Sequence, residues 1–312
     1  MGNEGDPGVG PRRGVGHHAT MWTTARTWLL ISRPGLWFPA IWLYLLPLGH
    51  PAGPGEGALW LRPAFWFGLA FVTFPLGFLV YGWNDRVDVA TDRLNPRKGT
   101  WWFGAQASDG ALARLPRAIA GVTAVAFAPV VLLDGPRQLG VLAGIVAVCW
   151  IYNREPRGWR GRPPLELVCQ VGYLLVVPLS AWLNHVPLPP PATWGYLALF
   201  TLQAQLMGEV MDVTPDRAAG RQTTATALGV EATKSLIIAL VAAEVALMMG
   251  VFQEPVFGGA LAAFLAWLLL DRFVIFRGRG YSLAQMKLFG LGANTMAALT
   301  MAWAWWTGCL LR

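Results

Sequence analysis

Asp85, Asp88 and Asp92 crowd into YGWNDRVDVATDRLNPRKG (residues 81–99), although the whole chain holds only 17 Asp and Glu residues. If the helix through residue 84 continues to residue 92, Asn84, Asp88 and Asp92 stand on one face at four-residue steps, with Asp85 beside them. Like charges on one face repel, and each takes up a proton unless a cation sits among them. Hard oxygen donors with room for water and phosphate oxygens suit Mg2+, which takes one or two carboxylates plus substrate phosphates. The plainer reading is a group of loop acids balanced by Arg86, Arg93, Arg97 and Lys98. A second cluster favours the metal reading: MGEVMDVTPDRAAGRQTTATALG (207–229) sets Asp212 and Asp216 one helical turn apart. Two facing carboxylate clusters in basic surroundings are what a pair of magnesium ions bridging a diphosphate requires.

The loop YNREPRGWRGRPP (152–164) adds Tyr152, Arg154, Arg157, Arg160 and Arg162. Tyr152 and one or two of these arginines can bind a leaving diphosphate by charge-assisted hydrogen bonds. Equally, a tyrosine at a span end anchors the interface, and arginines in an inside loop set topology. Arg33, near the start of the first apolar run, either joins the diphosphate site or snorkels to the interface.

The elements that must position these residues are membrane helices. The chain of 312 residues is 55% apolar and 13% charged, and it contains 17 tryptophans. Runs near the ~20 residues needed to cross a bilayer lie at 28–48, 63–83, 117–134, 138–152, 165–183, 193–211, 235–252, 256–275 and 286–310. An all-α integral membrane protein of about nine transmembrane helices is expected. With a cytoplasmic N-terminus, all Lys and Arg residues except Arg62, Arg137 and Arg312 fall in inside segments, as cytoplasmic loops require. Both acid clusters then face the cytoplasm from a multi-pass protein of the cytoplasmic membrane. The net charge of +7 belongs to one membrane face, where it attracts anionic headgroups or an anionic substrate. Basic residues scattered over membrane loops argue against nucleic acid. Residues 1–24, rich in Gly, Pro and Arg, read as a disordered cytoplasmic tail and not a signal peptide, with residues 25–312 forming the transmembrane domain. His17 and His18 in the tail have no nearby metal-ligating partners in sequence. Cys149, Cys169 and Cys309 fall inside spans and read as apolar fillers.

The paired motifs resemble those of the UbiA superfamily of intramembrane prenyltransferases. Asn84, Asp88 and Asp92, with Asp85, are similar to its first signature; Asp212, Asp216, Ala219, Gly220, Thr223, Thr224 and Thr226 are similar to its second. Ser32–Pro34 and the tyrosine-led loop at 152 also look like the family, and the likeness spans about residues 28–310. It implies a bundle around a central cavity, with Asn84, Asp85, Asp88, Asp92, Asp212 and Asp216 as the metal set. A prenyl diphosphate donor is then held at the cytoplasmic mouth by Mg2+ with help from Arg33, Arg97, Lys98 and Tyr152. Where the family often carries a lysine near the loop tyrosine, this chain has Pro156, leaving Arg154 or Arg157 to substitute.

An allylic diphosphate ionises when its leaving group is neutralised in a water-poor site. The resulting carbocation needs shielding from water, which aromatic walls offer together with cation–π attraction. Trp37, Trp42, Phe78 and Trp83 are the candidate lining residues, against the plainer role of packing. DRLNPRKG (92–99) and TTATALG (223–229) look like the carotenoid-elongating branch, whereas LWFPAIW (36–42) is similar to chlorophyll and bacteriochlorophyll synthases. A lipophilic isoprenoid acceptor is favoured, with a quinone precursor or a chlorin still open. Two other classes stay open: a cyclase or prenyl-diphosphate hydrolase on the same scaffold, and a multispan transporter. Glu166, Glu209 and Glu244 are the deeper acids a transporter could use, and Glu209 either extends the second metal array or sits in a wetter part of the cavity.

Overall fold

Proline opens many of the helices, at positions where its missing N–H has no intrahelical partner to lose. Pro63 starts α3 (Pro63–Phe71), Pro191 starts α10 (Pro191–Ala218) and Pro255 starts α13 (Pro255–Leu270). The computed structural model describes residues 16–49, 59–95, 97–156 and 158–312, with side chains from residue 24 onward apart from 90 and 91. Among these residues the chain is helical, with one isolated β-bridge between Thr100 and Gly104 and no strands.

Each of the nine apolar runs falls on helix. Five segments are long and apolar enough to cross a membrane among the described residues: 63–87, 109–134, 165–183, 230–251 and 255–275. A sixth is bent by 60° between residues 24–36 and 38–48. The α7 helix (Arg137–Asn153) is apolar but only 17 residues long. The 28-residue α10 and 25-residue α14 (Leu283–Thr307) are long enough, at roughly 40 Å each, but carry more polar side chains. Large apolar residues such as Val125, Leu132, Leu288 and Leu299 point outward, an arrangement suited to lipid and hostile to water. The protein is an integral membrane protein.

The bend in the first span has a local cause. After α1 (Gly16–Ile31), Arg33 adopts left-handed backbone angles of φ 52° and ψ 69°, and a 3-10 turn at Pro34–Leu36 leads into α2 (Phe38–Leu45). A non-glycine residue held there costs on the order of 1 kcal/mol, and the ion pair that Arg33 forms with Asp85 offsets it. The helical segment begins at Gly16, so residues 16–24, expected in the tail, are helical; residues 1–15 lie outside the described residues.

The second correction concerns the acid ladder. Instead of running unbroken to residue 92, α4 (Phe74–Val87) ends before Asp88, which caps it at φ −94° and ψ 16°, and α5 (Val89–Leu94) restarts from there. Backbone bonds from Asp88 N to Asn84 O (2.9 Å) and from Asp92 N to Asp88 O (2.8 Å) persist across the break. The four-residue steps are therefore kept while the faces rotate apart. Around them, α4 packs on α6 (Asp109–Asp134), and α10 lies along α12 (Val230–Ala246).

Candidate active site

The acids divide into three charge-paired groups. On one side of α4, Asp85 accepts from Arg33 Nη2 at 2.8 Å and from Lys98 Nζ at 2.7 Å. Lys98 also reaches Asp92 at 2.7 Å. On the other side, Asp88 is paired with Arg160 and with Arg221 Nη1, the latter at 3.1 Å. Arg221 further approaches Asp216 at 3.9 Å and donates to the Tyr152 hydroxyl at 3.3 Å. The third group joins Asp212 to Arg97 and to Asn95 Nδ2 (3.1 Å), with Arg97 stacked 4.2 Å over Phe103.

Local sequence explains why these residues converge. Gly220 takes φ 68° after α10 ends, and Arg221 N bonds back to Asp216 O at 2.8 Å. That fold returns the Arg221 side chain toward the acids. Thr223 and Thr226 then form a reciprocal capping box that starts α11 (Thr224–Leu228), which satisfies N–H groups a helix start leaves free. Two buried carboxylates brace this turn: Glu166 accepts from Thr224 N and Oγ1, each at 2.6 Å, and Glu209 accepts from Ala225 N at 3.1 Å and Gln205 at 3.1 Å. Glu209 thus supports the second motif and does not join the acid cluster.

Above these groups opens a cavity of about 910 Å³. Arg33, Asn84, Arg97, Tyr152, Arg160, Asp212, Asp216 and Arg221 border one end, and Trp42, Tyr196, Phe200 and Phe257 line the other. Trp42 is the one expected aromatic residue among those that line it. Trp37 donates to Ser32 O (2.9 Å), Phe78 packs against Trp28 and Phe74, and Trp83 packs on the core. Tyr81, Trp102, Phe103 and Tyr173 take their places in the wall.

The donor set fits a divalent metal. Its oxygens are hard ligands, and Asn84 Oδ1 and Asp85 Oδ2 are buried without hydrogen-bond partners. Asp85, Asp88, Asp92, Asp212 and Asp216 are balanced in number by Arg33, Arg97, Lys98, Arg160 and Arg221. A diphosphate with about three negative charges entering such a neutral cluster needs added cations, which divalent metals supply. Among the described residues no three acids, histidines or cysteines form a ready-made metal shell. Magnesium does not need one, because substrate phosphates and water complete its coordination.

Burial pushes the Asp92 carboxyl up to about 6 against the pull of Lys98. Burial likewise pushes Asp216 up to about 7 against the pull of Arg221. For Arg221 burial works against the charge, but Asp88, Tyr152, Asp216 and Asp212 together outweigh it and hold the guanidinium above its ordinary value.

The sequence profile of the UbiA prenyltransferase family matches residues 36–291. The chain belongs to the UbiA prenyltransferase family. It is a prenyltransferase, and the relatives it matches include lycopene elongase/hydratases. It is 26% identical over 224 residues to a lycopene elongase/hydratase of Corynebacterium glutamicum, covering 68% of this chain and 72% of that one. The corresponding enzyme of Haloarcula japonica is 31% identical over 202 residues, covering 61% and 65%. In three dimensions the chain is similar to a UbiA homolog from Archaeoglobus fulgidus bound to DMAPP and Mg2+. The TM-score is 0.68 at 16% identity, covering 88% of this chain and 96% of that one. That likeness establishes the fold: an all-helical UbiA-like bundle.

Arg154 is not brought to the cluster. It is exposed, with its guanidinium 4.9 Å over the Trp150 ring, and Arg157 lies outside the described residues. Arg160 and Arg221 reach Asp88 instead. Arg221 had a signal in the sequence, since a cation directly after Gly220 in a glycine turn folds back on the preceding helix end.

Proposed function

We propose that the protein is a Mg2+-dependent prenyltransferase that moves a prenyl group from an allylic prenyl diphosphate to a lipophilic isoprenoid acceptor of the carotenoid type. The observation carrying this reading is a band of alternating acids and cations at one end of a large apolar cavity. Structural neighbours bound to DMAPP or GPP with Mg2+ support the donor class, and relatives named lycopene elongase/hydratase support the acceptor class. The distribution of Lys and Arg supports a site that opens to the cytoplasm.

Asn84, Asp85 through the Oδ2 that Arg33 and Lys98 leave free, Asp88, Asp92, Asp212 and Asp216 would hold the metal, which supplies charge neutralisation for the departing diphosphate. Arg97, Lys98, Arg160 and Arg221 exchange part of their carboxylate pairing for phosphate oxygens, donating charge-assisted hydrogen bonds that strengthen as the leaving group gains charge. Arg33, locked on Asp85, keeps the α4 end in register beneath them. Tyr152 holds Arg221 in position through its hydroxyl. The C1–O bond of the donor breaks with its electron pair leaving on the diphosphate. The π electrons of the acceptor alkene then attack the allylic cation, forming the new C–C bond and moving the positive charge onto the acceptor, which loses a proton to the released diphosphate to give the neutral prenylated product. Tyr81, Phe103 and Tyr173 exclude water and offer aromatic faces to the cation.

The test is purified enzyme in lipid nanodiscs, given an allylic diphosphate with carotenoid, quinone-precursor or chlorin acceptors and followed by product mass. Added prenyl mass on a carotenoid supports the reading. A cyclic or hydroxylated prenyl product without a second lipid identifies a cyclase or hydrolase, and solute uptake into proteoliposomes of the same protein without donor consumption identifies a transporter.

A further inference from the structure

Glu244 on α12 is fully buried, and neither carboxylate oxygen has a hydrogen-bond partner. It borders the cavity, whose wall also includes Tyr196, Phe257, Leu261 and Met301. Glu244 stands fourteen residues after Val230, the first residue of α12, roughly 21 Å along that helix from the turn that follows the second acid motif. Immediately beyond Glu244 the helix passes into a π turn at Leu247–Val251, a feature found often at functional sites. No role in holding or ionising the diphosphate reaches this far.

An unpartnered carboxyl group inside a membrane bundle is costly whether ionised or protonated, since both forms need a hydrogen-bond partner. A pure hydrocarbon chain lying against it leaves that cost in place. A ligand hydroxyl removes it, and a site with one buried polar group among apolar walls discriminates strongly against the analogue that lacks the matching group.

We propose that Glu244 forms a distal subsite for a hydroxyl group on the isoprenoid acceptor, so that the protein takes an oxygenated polyene in preference to the corresponding hydrocarbon. The proposal rests on the prenyltransferase reading only for the identity of its ligand as the acceptor. Apolar contacts along the cavity hold the chain, while the hydroxyl of the acceptor pairs with the Glu244 carboxyl and sets how far the reactive end extends toward the acid cluster.

The experiment measures equilibrium binding, which is independent of turnover. Two polyenes of equal length, one bearing a terminal hydroxyl and one lacking it, are partitioned onto nanodiscs with and without the protein and quantified by their own absorbance. The wild type is expected to favour the hydroxylated polyene by at least ten-fold. Glu244→Leu is expected to bring the ratio close to one while leaving donor diphosphate affinity unchanged, and Glu244→Gln to give an intermediate ratio. If the leucine variant does not retain donor binding, Glu244→Met serves in its place. Equal binding of both polyenes by the wild type, or an unchanged ratio in the Leu or Met variant, overturns the proposal. Absence of prenyl transfer in a protein that still shows the ratio counts against the catalytic reading alone.

Discussion

Replacing Arg221 with glutamine removes the one cation among the described residues that touches both acid motifs, since it reaches Asp88 at 3.1 Å, Asp216 at 3.9 Å and the Tyr152 hydroxyl at 3.3 Å. Asp88 keeps Arg160, so the fold retains a partner for that carboxylate. The damage falls on the leaving group. Loss of one preorganised donor to a developing oxyanion lowers the rate about 10²–10³-fold, or ~3 kcal/mol. Arg221→Lys keeps the charge but loses the fork that serves Asp88 and Tyr152 together, and a smaller loss of about ten-fold, ~1.4 kcal/mol, is expected. Arg154→Gln is the control, because Arg154 faces outward over Trp150 and its replacement leaves turnover within about two-fold, the small effect typical of a surface substitution. The assay is diphosphate release by purified enzyme in nanodiscs, with thermal unfolding of each variant to confirm folding. A folded Arg221→Gln protein that turns over within three-fold of wild type refutes the role assigned to Arg221. So does a larger loss from Arg154→Gln than from Arg221→Gln.

Other consequences follow from the same geometry. Asp88→Asn and Asp212→Asn each lower turnover by about 10²-fold or more, since each removes a proposed metal ligand as well as the carboxylate partner of an arginine; diphosphate release again reports it. Chelation abolishes activity and Mg2+ restores it, as a titration with free metal checks. Protons compete with the metal at Asp92 and Asp216, whose carboxyls burial pushes up to about 6 and about 7. Both groups become increasingly protonated as pH falls through those values, so the Mg2+ concentration for half-maximal rate rises between pH 8 and pH 6. Gly77→Ala places a Cβ 2.5 Å from Ser32 O, where backbone must shift; a loss of roughly 1–3 kcal/mol in stability, read as a lowered unfolding temperature, is expected.

The acids were legible in the sequence because their chemistry survives without coordinates: Asp88, Asp92, Asp212 and Asp216 are too concentrated for membrane loops. The apolar runs were legible for the same reason, and each lies on helix. The faces were not. Asp88 caps α4 and turns toward Arg160 and Arg221, while Asp85 and Asp92 share Lys98 on the other side. That division depends on backbone angles at one residue, which four-residue spacing does not encode. The loop arginines posed a similar difficulty, because Arg154 and Arg160 are alike in composition and differ only in how the loop packs. Glu166 and Glu209, which had no evident partners in sequence, bond to the turn at Thr224 and Ala225 across 58 and 16 residues. Such long-range pairing emerges only when α8 (Leu165–Gln170), α10 and α11 meet.

The central claim is that the two acid clusters act together to release diphosphate while a prenyl group passes to a lipid acceptor. The most direct measurement follows diphosphate release and prenylated polyene in the same reaction, for wild type and for folded Asp88→Asn/Asp212→Asn double variant, with and without Mg2+. The expected result is equal molar yields of the two products from wild type with Mg2+, and neither product when the metal or both aspartates are removed. Turnover by the double variant at the wild-type rate, or diphosphate released without any prenylated lipid, contradicts it.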